Sequence, residues 1–586
     1  MGIKKVLSAN EAVAHAAYAA GINVASSYPG TPSTEIMENL KQFPEIYAEW
    51  SVNEKVGCEV AIGASFAGAR SMTTMKHVGL NVAMDPLMTF SYVDGNGGMV
   101  VVSADDPGMH SSQNEQDNRN VARFARIPMF EPSDSQEAYD MFRAAVSLSE
   151  EVKQPVLFRM TTRVCHSSGV VDLGDFRRAE PSGLRYEKNV TRTCPIPAFA
   201  RQMRVRLEEK MKKLAAISEE SPFNFEEIRD TRIGVVTSGV SYQYVREAMP
   251  QVSVLKLGFT NPIPREKIAA FAGKVDRLYV IEEGDKYLEE QILSMGISLA
   301  PHSDMLKIGE LNPDRVADFY AEITGSAAPV RKAPAQDLPA RPPVLCPGCS
   351  HRPVFYALNK LGCIVTGDIG CYSLGLMKPL DALDTIICMG GGITNAHGFE
   401  KGGETRPVVG IVGDSTFFHS GITGLVNMVY NKSHGTIIIS DNRITAMTGH
   451  QDNPGTGSTL RGEPTSAVDL EALCKGIGVK RVRTINPYNI KETIDAIKEE
   501  IEAPELSVII SKYPCMLTGV KHNKTYFVDP DKCKACGMCI GLGCQAILRG
   551  EKTGNRYQAK IDPVLCAGCG MCSQLCKFGA IQEKSK

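Results

Sequence analysis

Eight of the chain's 18 cysteines crowd between Cys533 and Cys576. Cys533, Cys536, Cys539 and Cys544 are spaced C-x2-C-x2-C-x4-C, and Cys566, Cys569, Cys572 and Cys576 are spaced C-x2-C-x2-C-x3-C. In a cytosolic chain of this size, thiols grouped this way are metal ligands rather than disulfide partners. Zinc is the plain alternative, but paired four-cysteine runs at this spacing are hard to reach for zinc alone. Further up the chain, Cys346 and Cys349 share a CPGC turn, which alone suits zinc, a redox pair or a cluster. A different chemistry is written at Gly413-Asp414 and Asn442. A carboxylate and an amide oxygen are hard ligands, suited to Mg2+ holding a diphosphate. The bland alternative is an α/β unit with a turn aspartate and no ligand.

Those oxygens need elements to carry them. Val408–Val412 is an apolar run ending in Gly413-Asp414, and Thr436–Ser440 is another ending in Asp441-Asn442. Both have the pattern of buried parallel strands, with one helix between them to about Tyr430. Ligands gather at the carboxyl edge of such sheets. Glycines in DIGCYSLG, with Gly370 and Cys371, and in MGGGITNAHG, with Gly391, free backbone N–H groups for phosphate oxygens.

A chain of 586 residues predicts about four domains at ~150 residues each. A net charge of -2 gives no reason to expect nucleic acid or an anionic membrane as partner. No apolar run reaches the ~18 residues of a membrane span, and the polar start is unlike a signal peptide. The expected location is therefore the cytoplasm. Residues 1–170 have the pattern of an α/β domain, with a helix over Ala9–Ala20, strands at Val24–Tyr28, Met72–Met75, Met99–Val102 and Pro155–Arg159, and Ser33 or Thr34 as a helix cap. Asn53 can cap a helix whose first turn holds Glu54; a lone glutamate there is most simply a solvated side chain favoured by the helix dipole. The polar stretch Ala104–Arg119 shows no packing logic, as functional loops often do not. Residues 171–230 look like a connector and 231–325 like another α/β unit. There Glu282 and Glu283 are expected to be ordinary strand-end acids. Residues 326–343 are a Pro/Ala-rich linker. Residues 344–525 carry the Asp414 and Asn442 strands, and 526–586 the two cysteine runs. Cys58, Cys165, Cys194, Cys363, Cys388 and Cys474 are most simply core residues.

Three sets of residues resemble known families. GD followed after a helix by N resembles the thiamine-diphosphate motif, which implies Asp414, Asn442 and the backbone oxygen of Ile444 as Mg2+ ligands; Ser415 stands where many such enzymes have glycine. The last 61 residues resemble a bacterial two-cluster ferredoxin, in which the fourth cysteine of each run serves the other cluster. That implies one [4Fe-4S] cluster on Cys533, Cys536, Cys539 and Cys576, and a second on Cys566, Cys569, Cys572 and Cys544. The first run carries an extra residue, and the usual prolines are replaced by Gln545 and Lys577. YPGTPS and NEKVGCEVAIGASFAGARSMTTMKHVGLN resemble the pyrimidine-binding domain of the 2-oxoacid:ferredoxin oxidoreductases. In that family Glu54 would hydrogen-bond the aminopyrimidine, with Glu59 as the fallback, and Thr31 would lie near the substrate carboxylate. Members with a CPGC pair, a GIGC cysteine and a late PC cysteine imply a third cluster on Cys346, Cys349, Cys371 and Cys515.

The resemblance covers nearly the whole chain. It implies a multidomain α/β fold: transketolase-like thiamine-diphosphate domains followed by a two-[4Fe-4S] ferredoxin-like α+β domain. Domain order, with MKHVGLN, DDPGMHSSQNEQDNR and MGGGITNAHG, is most like the large-subunit branch that acts on arylpyruvates such as indolepyruvate. The implied reaction is oxidative decarboxylation with coenzyme A as cosubstrate and ferredoxin as acceptor. Thr31, His110 and nearby loop residues are the candidate substrate pocket, although His110 could equally order its own loop. The family's gamma-type domain is absent here, which implies a smaller beta subunit and a dimer of heterodimers. Two other expectations stay open: another 2-oxoacid:ferredoxin oxidoreductase, or a non-oxidative thiamine decarboxylase with structural iron–sulfur clusters. A scaffold subunit with a dead thiamine fold is the non-catalytic alternative.

Overall fold

Strands that are unbroken apolar runs in sequence end up covered on both faces. In the computed structural model, Ile437 and Ile439 of one such strand enter one core, while Ile438 between them enters another. Residues 2–180, 182–303, 308–331, 338–339, 341–520 and 522–585 are described. They form two compact units, Met1–Gln336 and Asp337–Lys586. Of the expected linker 326–343, residues 332–337 and 340 lie outside the described residues. No described helix is long and apolar enough to cross a membrane.

The first unit is built on a seven-stranded sheet in the order Phe259–Asn261, Met129–Phe130, Val156–Thr161, Met99–Asp105, Ser71–Lys76, Val24–Ser27, Tyr47–Trp50. Every neighbouring pair is parallel except the first. From Val24–Ser27 the chain runs outward to Tyr47–Trp50, then returns to place Ser71–Lys76 on the other side. That reversal opens a crevice at the carboxyl ends of Val24–Ser27 and Ser71–Lys76, where α/β sheets bind ligands. A second sheet orders Leu278–Ile281, Asp230–Ser238, Val252–Leu257 and Phe225–Glu227. The segment 231–325 is not a closed unit, because its Phe259–Asn261 pairs into the first sheet. The expected connector also packs: Pro197–Glu220 is one helix whose Met203 joins the first core.

Two sequence expectations fail here for the same reason. The polar stretch Ala104–Arg119 does have packing logic, and Glu282 and Glu283 are not ordinary strand-end acids. Arg159 pairs with Asp105 at 2.7 Å and Glu131 at 2.6 Å, and Arg119 pairs with Asp117 and with Glu282 at 2.7 Å. Arg119 also donates to the Glu283 and Asp285 carbonyls. All six charged side chains are buried, so the network ties the first sheet to the end of the second. Composition shows the charges but not that tertiary packing will desolvate and pair them. Ser33 precedes the helix Thr34–Leu40 but caps nothing; its hydroxyl donates to Gly30 O instead. Cys194 and Cys388 are exposed and Cys363 is half-buried, against the expectation of core thiols; Cys58, Cys165 and Cys474 are buried.

The second unit holds an all-parallel sheet in the order Thr385–Ile386, Ile364–Gly367, Val408–Gly413, Thr436–Asp441, Ser507–Lys512, Arg481–Ile485. The chain again reverses, here around Ile364–Gly367, so its crevice lies between the ends of Ile364–Gly367 and Val408–Gly413. The single helix expected after Asp414 is broken into Asp414–Thr416, a π-type turn over Phe417–Gly421, and Ile422–Tyr430. Such π turns recur at functional sites. The cysteine-rich end pairs Lys524–Val528 with Ile581–Ser585 and Ile547–Thr553 with Arg556–Ile561, both antiparallel.

Burial pushes the Glu282 and Glu283 carboxyls up to about 7, even beside Arg119 and Arg159. A folded value above the ordinary 4.5 means the folded chain keeps protons that the unfolded chain has released. Stability therefore falls as pH rises from about 4.5 to about 7 and stays low above it. Thermal unfolding is expected at a higher midpoint near pH 5.5 than near pH 8, with Glu283→Gln narrowing the gap. An undiminished gap in the variant would remove Glu283 as its source.

Candidate active site and metal centres

At the second unit's crevice, each strand end delivers a polar group. Asp414 opens its short helix almost fully buried, and its Oδ2 accepts from Asn453 Nδ2 at 3.0 Å. Burial, followed by the charge of Asp441, pushes the Asp414 carboxyl up to about 7. Two carboxylates held together out of water repel each other, and a divalent cation relieves exactly that kind of repulsion. Asn442 follows Asp441; its Oδ1 accepts from Ile444 N at 3.3 Å, so Asn442 and Ile444 share one turn. Arg443 between them has φ 61°, the left-handed conformation that makes the turn tight. Asp414, Asn442 and Ile444 therefore fit a Mg2+ site chemically. Asn453, which sequence reasoning missed, orients the first of them.

The glycine edge is equally constrained. The helix Gly391–Lys401 begins where a Cβ on Gly392 would lie 2.7 Å from Ile411 O and 2.9 Å from Thr366 O. Only glycine lets this helix N-terminus, a natural phosphate site, sit so low on the sheet. Gly413 is required because the Tyr372 ring crosses it, 2.7 Å from where its Cβ would be. Tyr372 OH donates to Asp368, and Gly390 N–H donates to the other Asp368 oxygen at 2.9 Å. Asp368 thus ties the ends of both central strands to the glycine turn, beside Gly370 and Cys371. Burial pushes its carboxyl up to about 8. The signal for it was present in DIGC, but the pattern singled out the glycines and the cysteine.

In the first unit, Glu54 opens the helix Glu54–Phe66 and is buried, with Asn53 Oδ1 accepting from Val56 N at 2.9 Å. A Cβ on Gly79 would lie 2.6 Å from Glu54 Oε1, so MKHVGLN supplies the glycine that makes room for this carboxylate. The bland expectation of a solvated Glu54 does not hold. Thr31 lies in the turn after Val24–Ser27. Lys76, at the end of the neighbouring strand, backs that turn; a Cβ on Gly30 would lie 3.2 Å from Lys76 Cβ. Lys76 is buried, donates to Ser111 O at 2.7 Å, and is held down to about 8 by burial. Its burial at the strand end, with the ammonium held by the Ser111 loop, was not foreseen. His110 is exposed, with Nε2 3.3 Å from a Glu310 carboxylate that also pairs with Arg163. That contact orders the loop.

The cysteines group in three sets. A single pocket wall includes Cys533, Cys536, Cys539 and Cys576. The Cys539 thiol is pushed up to about 11 by burial and then by its neighbours Cys536, Cys533 and Cys576. Ala580 N–H donates to Cys576 Sγ at 3.2 Å. In the second set, burial raises Cys572, and the nearby sulfurs of Cys569, Cys544 and Cys566 add to it. The structure therefore brings the fourth cysteine of each run beside the other run. In the third set, Cys349 is pushed up to about 12 by burial, with Cys371 and Cys346 as neighbours. Cys371 in turn faces Cys515 and Cys346. Among the described residues no three His, Cys, Asp or Glu side chains close around a single ion. A mononuclear zinc site needs four thiolates at about 2.3 Å from one ion, whereas a cubane gives each thiolate its own iron and spreads the sulfurs wider. Each set offers four thiols, the number and ligand type that a [4Fe-4S] cluster takes.

Residues 15–221 match the family model for pyruvate flavodoxin/ferredoxin oxidoreductase, thiamine diP-binding, and residues 368–511 match the C-terminal TPP-binding domain of thiamine pyrophosphate enzymes. Fold and site thus define a thiamine-diphosphate-binding oxidoreductase of the 2-oxoacid:ferredoxin type. The chain is 42% identical to the indolepyruvate oxidoreductase subunit IorA of Methanothermobacter marburgensis, over 100% of this chain and 98% of that one. It is 39% identical to that of Pyrococcus horikoshii, over 99% and 97%, and 39% identical to that of Archaeoglobus fulgidus, over 94% of each. The chain belongs to the indolepyruvate oxidoreductase subunit IorA family. A solved 2-oxoglutarate:ferredoxin oxidoreductase from Magnetococcus marinus is only loosely similar, at 18% identity and TM-score 0.45 over 54% of this chain and 65% of that one.

With its carboxyl raised to about 8, Asp368 is mostly uncharged near neutral pH, and a hydrogen bond to an uncharged group contributes about 0.5–1.5 kcal/mol, so losing this anchor should cost roughly two- to tenfold in diphosphate affinity. Calorimetric titration of Asp368→Ala with thiamine diphosphate and Mg2+ reads this directly. Unchanged affinity would show that the glycine turn holds its shape without Asp368.

Proposed function

We propose that this chain is the large subunit of an enzyme that oxidatively decarboxylates aryl 2-oxo acids, indolepyruvate among them. The products are the aryl-acetyl-coenzyme A, CO2 and reduced ferredoxin. The observation that carries this reading is the hydrogen bond from Cys515 N–H to Asn442 O, 2.9 Å long. One loop of the third cysteine set is thereby fastened to the turn that would hold the metal. Burial raises the Cys515 thiol, and the adjacent Cys346 and Asp414 charges add to that. Carbon chemistry at the diphosphate edge and an electron acceptor would be neighbours in the same sheet.

Bound thiamine diphosphate supplies a carbon centre that accepts the electron pair left when a 2-oxo acid loses CO2. The chain's own groups would do the rest. Asp414, Asn442 and the Ile444 carbonyl would hold Mg2+, and Gly413, Gly370, Cys371 and Gly391 would line the diphosphate. Glu54 would hold a proton at the aminopyrimidine ring, in a buried position that keeps water from competing for it. Thr31 would donate to the substrate carboxylate. His110 is better read as ordering its loop. Cys346, Cys349, Cys371 and Cys515 would hold the cluster nearest the carbon centre. The pair on Cys566, Cys569, Cys572 and Cys544 and on Cys533, Cys536, Cys539 and Cys576 would follow, in a ferredoxin-like segment over 526–586. Each cluster takes one electron at a time, which matches a two-electron oxidation delivered to one-electron carriers. Residues 1–170 would be the pyrimidine domain, 231–325 the transketolase C-terminal-like domain, and 344–525 the diphosphate domain. A smaller subunit carrying the gamma-type domain would complete a cytoplasmic dimer of heterodimers.

The anaerobic complex should reduce a viologen dye only when a 2-oxo acid and coenzyme A are both present. Pyruvate, 2-oxoglutarate, phenylpyruvate and indolepyruvate in parallel read the substrate class. Glu54→Gln is expected to lower the rate at least a hundredfold, in line with the range for one general acid–base group. Aldehyde formed in full yield with the clusters still oxidised would instead establish a non-oxidative decarboxylase.

A further inference from the structure

Arg352 is among the most deeply buried large side chains of the second unit, at 2% exposure, and no carboxylate pairs with it among the described ion pairs. Its guanidinium is spent on carbonyls. Nε donates to Cys346 O at 3.1 Å, and Nη2 donates to Leu345 O. Nη1 donates to Gly543 O and, at 3.4 Å, to Leu542 O. One fork therefore holds the CPGC loop and the other the turn just before Cys544. Gly543 must be glycine here, with φ 68° and an added Cβ only 3.2 Å from Arg352 Nη1. The sulfurs that face this charge come from both sets: Cys544 and Cys569 on one side, Cys349 and Cys346 on the other. Tyr488 marks the same junction. Its hydroxyl donates to Gly348 O in the CPGC turn, while its own carbonyl accepts from Gln574 Nε2 at 2.7 Å.

An arginine buried without a carboxylate is an expensive arrangement unless negative charge comes from elsewhere. Four thiolates on each of two clusters would provide it and would keep a lysine charged there too, but only the planar guanidinium fork reaches both loops at once. We propose that Arg352 is a positioning residue which joins the CPGC cluster to the Cys544/Cys566/Cys569/Cys572 cluster and stabilises the reduced form of both. Each reduction adds one negative charge to a cluster, and a fixed positive charge between them favours that step at either side. The two clusters would then be matched in potential by one side chain, so an electron passes from the first to the second without a large drop. This inference rests on the cluster reading above.

The test is an EPR-monitored redox titration of the anaerobic complex, with iron and sulfide assays on every sample. Wild type should carry about twelve irons, three clusters of four. Arg352→Gln should lower both midpoints so that the reduced-to-oxidised ratio at fixed potential falls at least tenfold, about 59 mV for a one-electron couple. Arg352→Lys should restore both to within about threefold while unfolding at a lower temperature. About twelve irons with both midpoints unmoved in Arg352→Gln would overturn the proposal and leave the cluster reading intact. About eight irons in wild type would instead remove the CPGC cluster, and the proposal with it. If the Gln variant does not assemble, the Lys variant decides alone: midpoints near wild type uphold a role for charge, and a tenfold fall in either overturns it.

Discussion

The carboxyl end of Thr436–Asp441 has two neighbours to satisfy at once, and the rest of the second unit follows from that. On one side Asp441 faces Asp414 at the end of Val408–Gly413. On the other, Ser507–Lys512 runs parallel with Asp441 opposite Lys512, so the chain beyond it must pass the same edge. Tyr513 N–H donates to Asp441 O and Cys515 N–H to Asn442 O. Parallel register is what makes this possible: strands that point the same way deliver their next residues to the same place. A shift of one residue in this pairing would reverse every side chain and separate Cys515 from the Asn442 turn. Packing explains why it does not shift. Ile437, Ile439, Val508 and Ile510 fill one core, and Ile438 and Ile509 fill the opposite one.

Buried charge is handled differently in the two units. In the first, five carboxylates surround Arg119 and Arg159, and burial lifts three of them despite that pairing: Asp105 to about 6, Glu282 and Glu283 to about 7. Asp117, which meets both guanidiniums, is instead held down to about 2. Removing one member of such a network costs about 3–5 kcal/mol, because the remaining charges stay buried without partners. The network is therefore a poor source of net stability and a strong constraint on geometry. It sets where the loop Ala104–Arg119 lies, and this loop in turn holds Lys76 through Ser111. In the second unit the balance is inverted: Asp414 and the cysteines are crowded with their like, and a buried Arg352 faces four of the cysteines. There the protein has arranged a demand for cations that its own side chains do not meet.

Much of this was legible in the sequence because it is local. Strands Val408–Gly413 and Thr436–Asp441 agree with the expected runs to within a residue, and the cap on Glu54–Phe66 is the predicted Asn53. Cysteine spacing announced the runs at 526–586, and a family resemblance extended it to the crossed neighbours. What was hidden depends on contacts far apart in the chain. Glu282 meets Arg119 across 163 positions, and Arg352 meets Gly543 across 191. No periodicity encodes such pairs, and an isolated arginine after CPGCSH looks like surface. Asp368 and Asn453 were missed for a related reason: each orients another residue, so each lacks a spacing of its own. The sheet insertion of Phe259–Asn261 was invisible because a three-residue strand is too short to show a period.

The crossed arrangement of the fourth cysteines has a consequence for how the last segment can exist at all. Cys544 belongs to the first run in sequence but stands among the second, and Cys576 stands among the first. Neither set of four is complete until both runs have folded, so metal binding at one would favour closure of the other. The two sets are also close, since Cys539 contributes to the charge felt by Cys572. A small segment with two antiparallel strand pairs has little core of its own. Its core residues Tyr526, Leu542, Met571 and Leu575 share one cluster with Tyr488 and Ile490 of the preceding sheet unit. The segment is thus anchored at the Gly543 turn through Arg352, and at Gln574 through Tyr488 and Ile490. Both anchors grip the side that holds Cys544 and Cys572.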